Sequence, residues 1–185
     1  MCANESIVHY ASHRGIGIAG IIEFMTPAFL KTYYNKMYNQ YVAANMKWPD
    51  DENFWKSTTP ILCIPMSKIL RQAFVTHVDF FILDVEGAEY DILQSIDWDN
   101  FSASVLCIET EVAYRPPGYA ETIRDYLAPR GYIVAAPRKG RNTWFMKKDF
   151  VPYARPGLPA DCYRGLAFMN GGVDQPACKG YGDLM

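Results

Sequence analysis

Apolar residues recur along this chain at two spacings, in short runs or at every third to fourth position, and the alternation of the two lays out an α/β protein. Ile7 to Tyr10 is strand-like, and His13-Arg14-Gly15-Ile16-Gly17 joins it to the apolar stretch Ile18 to Phe24. Thr26-Pro27 pairs a capping hydroxyl with a proline suited to the first helical turn, and Leu30, Tyr33, Tyr34, Met37, Tyr38 and Tyr41 follow at helical spacing. Trp48 to Thr59 reads as an acidic loop, Ile61 to Pro65 as a strand, and Met66, Ile69, Leu70, Ala73 and Phe74 as the buried face of a helix. Val78 to Leu83 is nearly continuous in apolar residues, as in a parallel strand covered on both faces, and ends at Asp84. Glu86-Gly87 then turns the chain into a helix facing inward through Ala88, Ile92 and Leu93. A second buried strand, Val105 to Ile108, ends at Glu109, and Pro116-Pro117-Gly118 leads into a helix carrying Ile123, Tyr126 and Leu127 and closed by Gly131. Tyr132 to Ala136 and Trp144 to Lys147 form a hairpin around the basic turn Arg138-Lys139-Gly140-Arg141. From residue 151 onward Pro, Gly and Cys replace the periodic pattern, so residues 1–150 read as one domain and 151–185 as an irregular tail.

With 185 residues, half of them apolar, the chain can bury a real core. A net charge of -2 supplies no clustered cations for phosphates, which argues against nucleic acid as a partner. No apolar run is long enough to span a bilayer and no signal-peptide pattern opens the chain, so it reads as soluble with the cytoplasm as default compartment. The five cysteines show no CxxC spacing, which argues against a zinc site. Cys63 and Cys107 read as small hydrophobes within strands, whereas Cys162 and Cys178 lie in the tail, either as free thiols or as a bridge in an oxidising compartment. His9, His13 and His77 read as surface residues, and the tyrosine-rich helix face as core packing instead of a substrate wall.

Ligands of open parallel sheets bind beyond the carboxyl ends of the strands. If the strands ending at Asp84 and Glu109 are neighbours, their axes lie roughly 4.8 Å apart and the two acids share one edge. As isolated residues they are equally well read as turn formers or caps. Asp84, Glu86 and Glu89, with Asp91 beyond them, nevertheless form an acid set that needs a positive neighbour: a sulfonium ligand, a metal ion, or Arg138, Lys139 and Arg141.

The segment Val78-Asp79-Phe80-Phe81-Ile82-Leu83-Asp84-Val85-Glu86-Gly87-Ala88-Glu89-Tyr90-Asp91-Ile92-Leu93 resembles the signature of FkbM-type methyltransferases, a strand running into Asp-Val-Glu-Gly-x-Glu and then a helix. The likeness continues through Asp97-Trp98, Val105 to Glu109, Gly131-Tyr132 and Asn142. It implies a Rossmann-like class I methyltransferase fold, mostly parallel with an antiparallel last strand, and S-adenosylmethionine as cofactor. It further implies methyl transfer to a hydroxyl of a small molecule or sugar. On this resemblance Asp84 and Glu109 are the catalytic candidates, Asp84 and Glu86 the cofactor-binding ones, and Glu89 and Asn142 the substrate-binding ones.

A class I enzyme also carries a glycine-rich turn after its first strand and an acid ending the second. Neither is recognisable here, so the chain is expected to be a carboxy-terminal part of such an enzyme, binding the cofactor weakly or not at all and exposing apolar edges. The alternative is a non-catalytic remnant that acts as a binding module.

Overall fold

The computed structural model describes residues 5–13, 18–110 and 113–150. The expectations for the tail, for Cys162 and Cys178, and for the side chains of His13, Arg138 and Lys139 lie outside the described residues.

The chain runs β1 (Ser6–His13), β2 (Ile18–Ile21), α1 (Pro27–Tyr33), α2 (Asn35–Ala43), α3 (Glu52–Trp55), β3 (Thr59–Cys63), α4 (Met66–Gln72) and β4 (His77–Leu83). It continues with α5 (Glu89–Ser95), β5 (Ser102–Glu109), α6 (Tyr119–Leu127), β6 (Tyr132–Lys139) and β7 (Asn142–Lys147). The strands form two sheets, where a single mostly parallel one was expected. β1 lies between β2 and β3 and is antiparallel to both. The reason is local: β1 and β2 are separated by residues 14–17 alone, far too short a connection for a parallel crossover.

The second sheet has the order β4-β5-β7-β6. β4 and β5 are parallel, and both β5 and β6 are antiparallel to β7. Thus β4, β5 and β6 share one direction and β7, the last strand among the described residues, runs against them. The register pairs Leu83 with Ile108 and Glu109 with Asn142, so Asp84, Glu109 and Asn142 emerge at one edge.

The main core fills the space between this sheet and α5 and α6, with Leu83, Leu93, Leu106, Ile108, Ile123, Leu127 and Phe145 buried. Tyr132 joins them, its hydroxyl donating to the Ala103 carbonyl and accepting from the Ala103 amide, both at 2.9 Å. β4 is an edge strand with Phe80 and Ile82 exposed, so it is not covered on both faces as its apolar run suggested, and Phe74, read as part of a buried helix face, is exposed just before it.

A second core gathers Phe29, Leu30, Met37 and Phe54, with Tyr33, Tyr34 and Tyr38 packed against it. The tyrosine face is therefore core. The helix expected over residues 27–41 is broken at Tyr34 (φ -128°, ψ 47°), whose hydroxyl donates to the carbonyls of Ala11 and Ile18 in the first sheet. The acidic loop holds α3, capped by Asp51 and anchored by buried Phe54. α6 ends in a 3-10 turn, Ala128–Arg130, before Gly131 takes a positive φ. The last hairpin is tighter than expected, with Gly140 and Arg141 at its tip. His9 is half-buried, not a free surface residue: its Nδ1 lies 2.6 Å from Glu23 Oε1 and its ring stacks on Trp55. Cys63 is disulfide-bonded, whereas Cys107 is a buried free thiol. Among the described residues no helix is long and apolar enough to cross a membrane.

Candidate active site

The site begins where β4 gives way to α5. Glu86 and Gly87 both have positive φ, 54° and 123°, so the chain reverses within two residues. Gly87 has no alternative, because a Cβ there would lie 2.4 Å from the Phe24 carbonyl oxygen. Glu89, the first residue of α5, reaches back to close the turn: its Oε1 accepts from the amides of Val85 and Gly87, both at 3.2 Å. That contact gives the Glu-Gly-x-Glu spacing a physical purpose. Its Oε2 accepts from the Tyr119 hydroxyl at 2.9 Å, and Tyr119 in turn accepts from the Tyr90 amide. Glu89, a substrate-binding candidate on the resemblance, is fully buried with both oxygens engaged.

Arg115, in the loop before α6, supplies the positive charge. Its Nη2 donates to Glu89 Oε1 at 3.1 Å and to Glu109 Oε2 at 2.9 Å, and its side chain is 2% exposed. The preceding residue, Tyr114, is pinned from the other side, its carbonyl accepting from the Thr26 hydroxyl and its hydroxyl lying 3.0 Å from that of Tyr33. The cap of α1 thus also holds the loop that delivers Arg115.

Glu109 is 3% exposed, and its Oε1 lies 4.0 Å from Arg141 Nη1. Burial and then the Asp84 charge push the Glu109 carboxyl up to about 7, against the opposing pull of Arg115. Asp84 itself is exposed; Glu86 is half-buried and raised by burial and by Asp84. Asn142 is half-buried and pairs with Glu109 across the β5–β7 ladder. Beyond this rung Thr110 donates its amide to the Arg141 carbonyl, and its hydroxyl lies 2.6 Å from that of Thr143. The structure therefore brings Asp84, Glu86, Glu109 and Asn142 to one edge and withdraws Glu89 into its foundation.

Over residues 31–134 the sequence matches the family model of the Methyltransferase FkbM domain. The chain belongs to this family. No curated protein and no solved structure matches it. The FkbM match takes in Asp84, Glu86, Glu89, Glu109, Arg115 and Tyr119, whereas Arg141 and Asn142 lie beyond it, as do β1 and β2. Arg115 and Tyr119 escaped the sequence reading. The available signal was the acid set itself, whose repulsion called for a positive neighbour, for which a sulfonium ligand, a metal ion and the hairpin residues Arg138, Lys139 and Arg141 were the candidates.

The raised Glu109 carboxyl has a consequence for stability. Between its unfolded value near 4.5 and about 7 the folded chain holds the extra proton, so stability falls as pH rises through that window. Glu109→Gln is expected to abolish that part of the slope and to gain stability relative to the parent at pH 8, as read by urea unfolding at pH 5 and pH 8. An unchanged slope would show that Glu109 titrates normally.

Proposed function

We propose that this chain forms the acceptor side of an S-adenosylmethionine-dependent methyltransferase of the Rossmann-like class I kind, acting on a hydroxyl of a small molecule or sugar. The observation that carries this reading is the position of Asp84 and Glu109 beyond the carboxyl ends of two adjacent parallel strands, where ligands of such sheets bind. The donor set suits the cofactor, since an edge with Asp84 exposed and Glu86 half-buried favours a sulfonium cation and accepts from ribose hydroxyls. When bound, S-adenosylmethionine supplies the methyl group and its sulfur takes the electrons of the breaking bond. Asp84 and Glu86 would hold it, and Asn142 would orient the acceptor.

Glu109 takes the hydroxyl proton as the acceptor oxygen bonds to the methyl carbon. A base poised near 7 serves at neutral pH, because it is deprotonated often enough to act and basic enough to take the proton. Correct placement of the acceptor supplies much of the remaining rate. A second reading, a non-catalytic binding module, draws on the exposed apolar side chains Phe74, Phe80 and Ile82 at β4.

The two readings separate in a titration with S-adenosylhomocysteine followed by backbone amide NMR. Shifts concentrated at Asp84 to Gly87, Glu109 and Asn142 are expected, with Asp84→Asn weakening binding about tenfold through one lost charge-assisted hydrogen bond. Millimolar ligand that leaves those amides unmoved would overturn the enzyme reading.

A further inference from the structure

Three carboxylates, Asp84, Glu86 and Glu109, border the proposed acceptor site, yet they differ sharply in burial: Asp84 is exposed, Glu86 half-buried and Glu109 buried. Among the described residues Glu109 is also the one held by a guanidinium. The same Arg115 nitrogen, Nη2, donates to both Glu109 and Glu89, and Arg115 Nε has no hydrogen-bond partner among the described residues. A cation divided between two buried anions neutralises neither completely. Glu89 is the better satisfied of the two, with the Val85 and Gly87 amides and the Tyr119 hydroxyl as further donors.

We propose that Glu89 and Arg115 are positioning residues: by sharing one guanidinium, they fix the orientation of Glu109 and leave it the carboxylate of the site that takes up and releases a proton. The proposal rests on the methyl-transfer reading for the purpose of that proton, while the coupling itself is a property of the fold. Glu109 Oε2 is held by Arg115, which turns Oε1 toward Arg141. Among the described residues the charged groups around Glu109 are Asp84 and Glu86 from the turn after β4, Glu89 from α5, Arg115 from the loop before α6, and Arg141 from the tip of the last hairpin. Glu89 adds negative charge and competes for Arg115, whereas Arg115 subtracts from the field at Glu109. The two residues therefore pull the proton affinity of Glu109 in opposite directions, a signature that a purely structural pair does not have.

The test is a pH titration of the Glu109 side-chain carboxyl by carbon-13 NMR on the whole chain, in the parent and in three variants. Glu89→Gln keeps the shape, removes the competing charge and is expected to lower the Glu109 midpoint by on the order of one pH unit, tenfold in proton affinity. Arg115→Gln is expected to raise it, and the double variant to return it toward the parent value. Should Arg115→Gln fail to fold, Glu89→Gln decides alone: a midpoint that stays fixed or rises overturns the proposal. Because no cofactor enters this titration, its outcome is independent of the S-adenosylhomocysteine experiment. Shifted midpoints without ligand binding would leave the coupling standing and remove the methyl-transfer reading, and bound ligand with unmoved midpoints would do the reverse.

Discussion

Arg115→Ala is expected to destabilise the fold by about 3–5 kcal/mol at pH 8, the loss typical when one partner of a buried ion pair is removed and the other stays behind. Here two carboxylates stay behind, Glu89 at 0% and Glu109 at 3% exposure. Buried anions without their cation favour the protonated form, so the loss should shrink as pH falls toward 4.5 and the unfolded chain takes up protons too. Urea unfolding of the parent and the variant at pH 8 and pH 4.5 measures both effects. A loss below about 1 kcal/mol at pH 8, the size of a surface ion pair, would mean that the guanidinium is far better solvated than its burial indicates.

Gly87→Ala should cost about 2–4 kcal/mol, because two penalties coincide at one atom. A backbone φ of +123° is rarely adopted by residues with a side chain, and the added Cβ would stand 2.4 Å from the Phe24 carbonyl, a backbone atom without freedom to retreat. Gly118→Ala is the control. Its φ is +80° but nothing lies within 4 Å of the new Cβ, so only the conformational penalty of roughly 1–2 kcal/mol applies. Equal losses in the two variants would show that the close approach of the β4–α5 turn to Phe24 is relaxed in solution. If Gly87→Ala folds, the displaced turn should also loosen the Val85 and Gly87 amides from Glu89, weakening the support beneath Asp84 and Glu86.

The amino-acid sequence by itself determined the strand, turn and helix from Val78 to Leu93 and a second strand ending at the acid Glu109; that these strands are parallel neighbours, which puts Asp84 and Glu109 on one edge, was a condition the register then met. These rest on short-range rules: an apolar run ended by an acid, and a glycine where φ must be positive. Family membership was readable for the same reason, since the motif spans sixteen consecutive residues of this local pattern, Val78 to Leu93. The split into two sheets was implicit in the four-residue link between β1 and β2, though periodicity alone does not say which strands pair. What only the tertiary structure decided is which acids stay accessible at the sheet edge and which are buried beneath it. Glu86 and Glu89 are alike in sequence, but one is left half-buried while the other is sealed by Tyr119 and Arg115, partners 30 and 26 residues away. Along the chain the counter-charge candidates were Arg138, Lys139 and Arg141, beside a sulfonium ligand or a metal ion, and Arg115 did not stand out. Arg115 is the one the fold drives between Glu89 and Glu109, because its loop is tied through Tyr114 to Thr26 and Tyr33 across more than eighty residues. Charge pairing in a low-dielectric interior depends on burial and on distances of a few ångströms, and neither is encoded in the local period of apolar and polar residues.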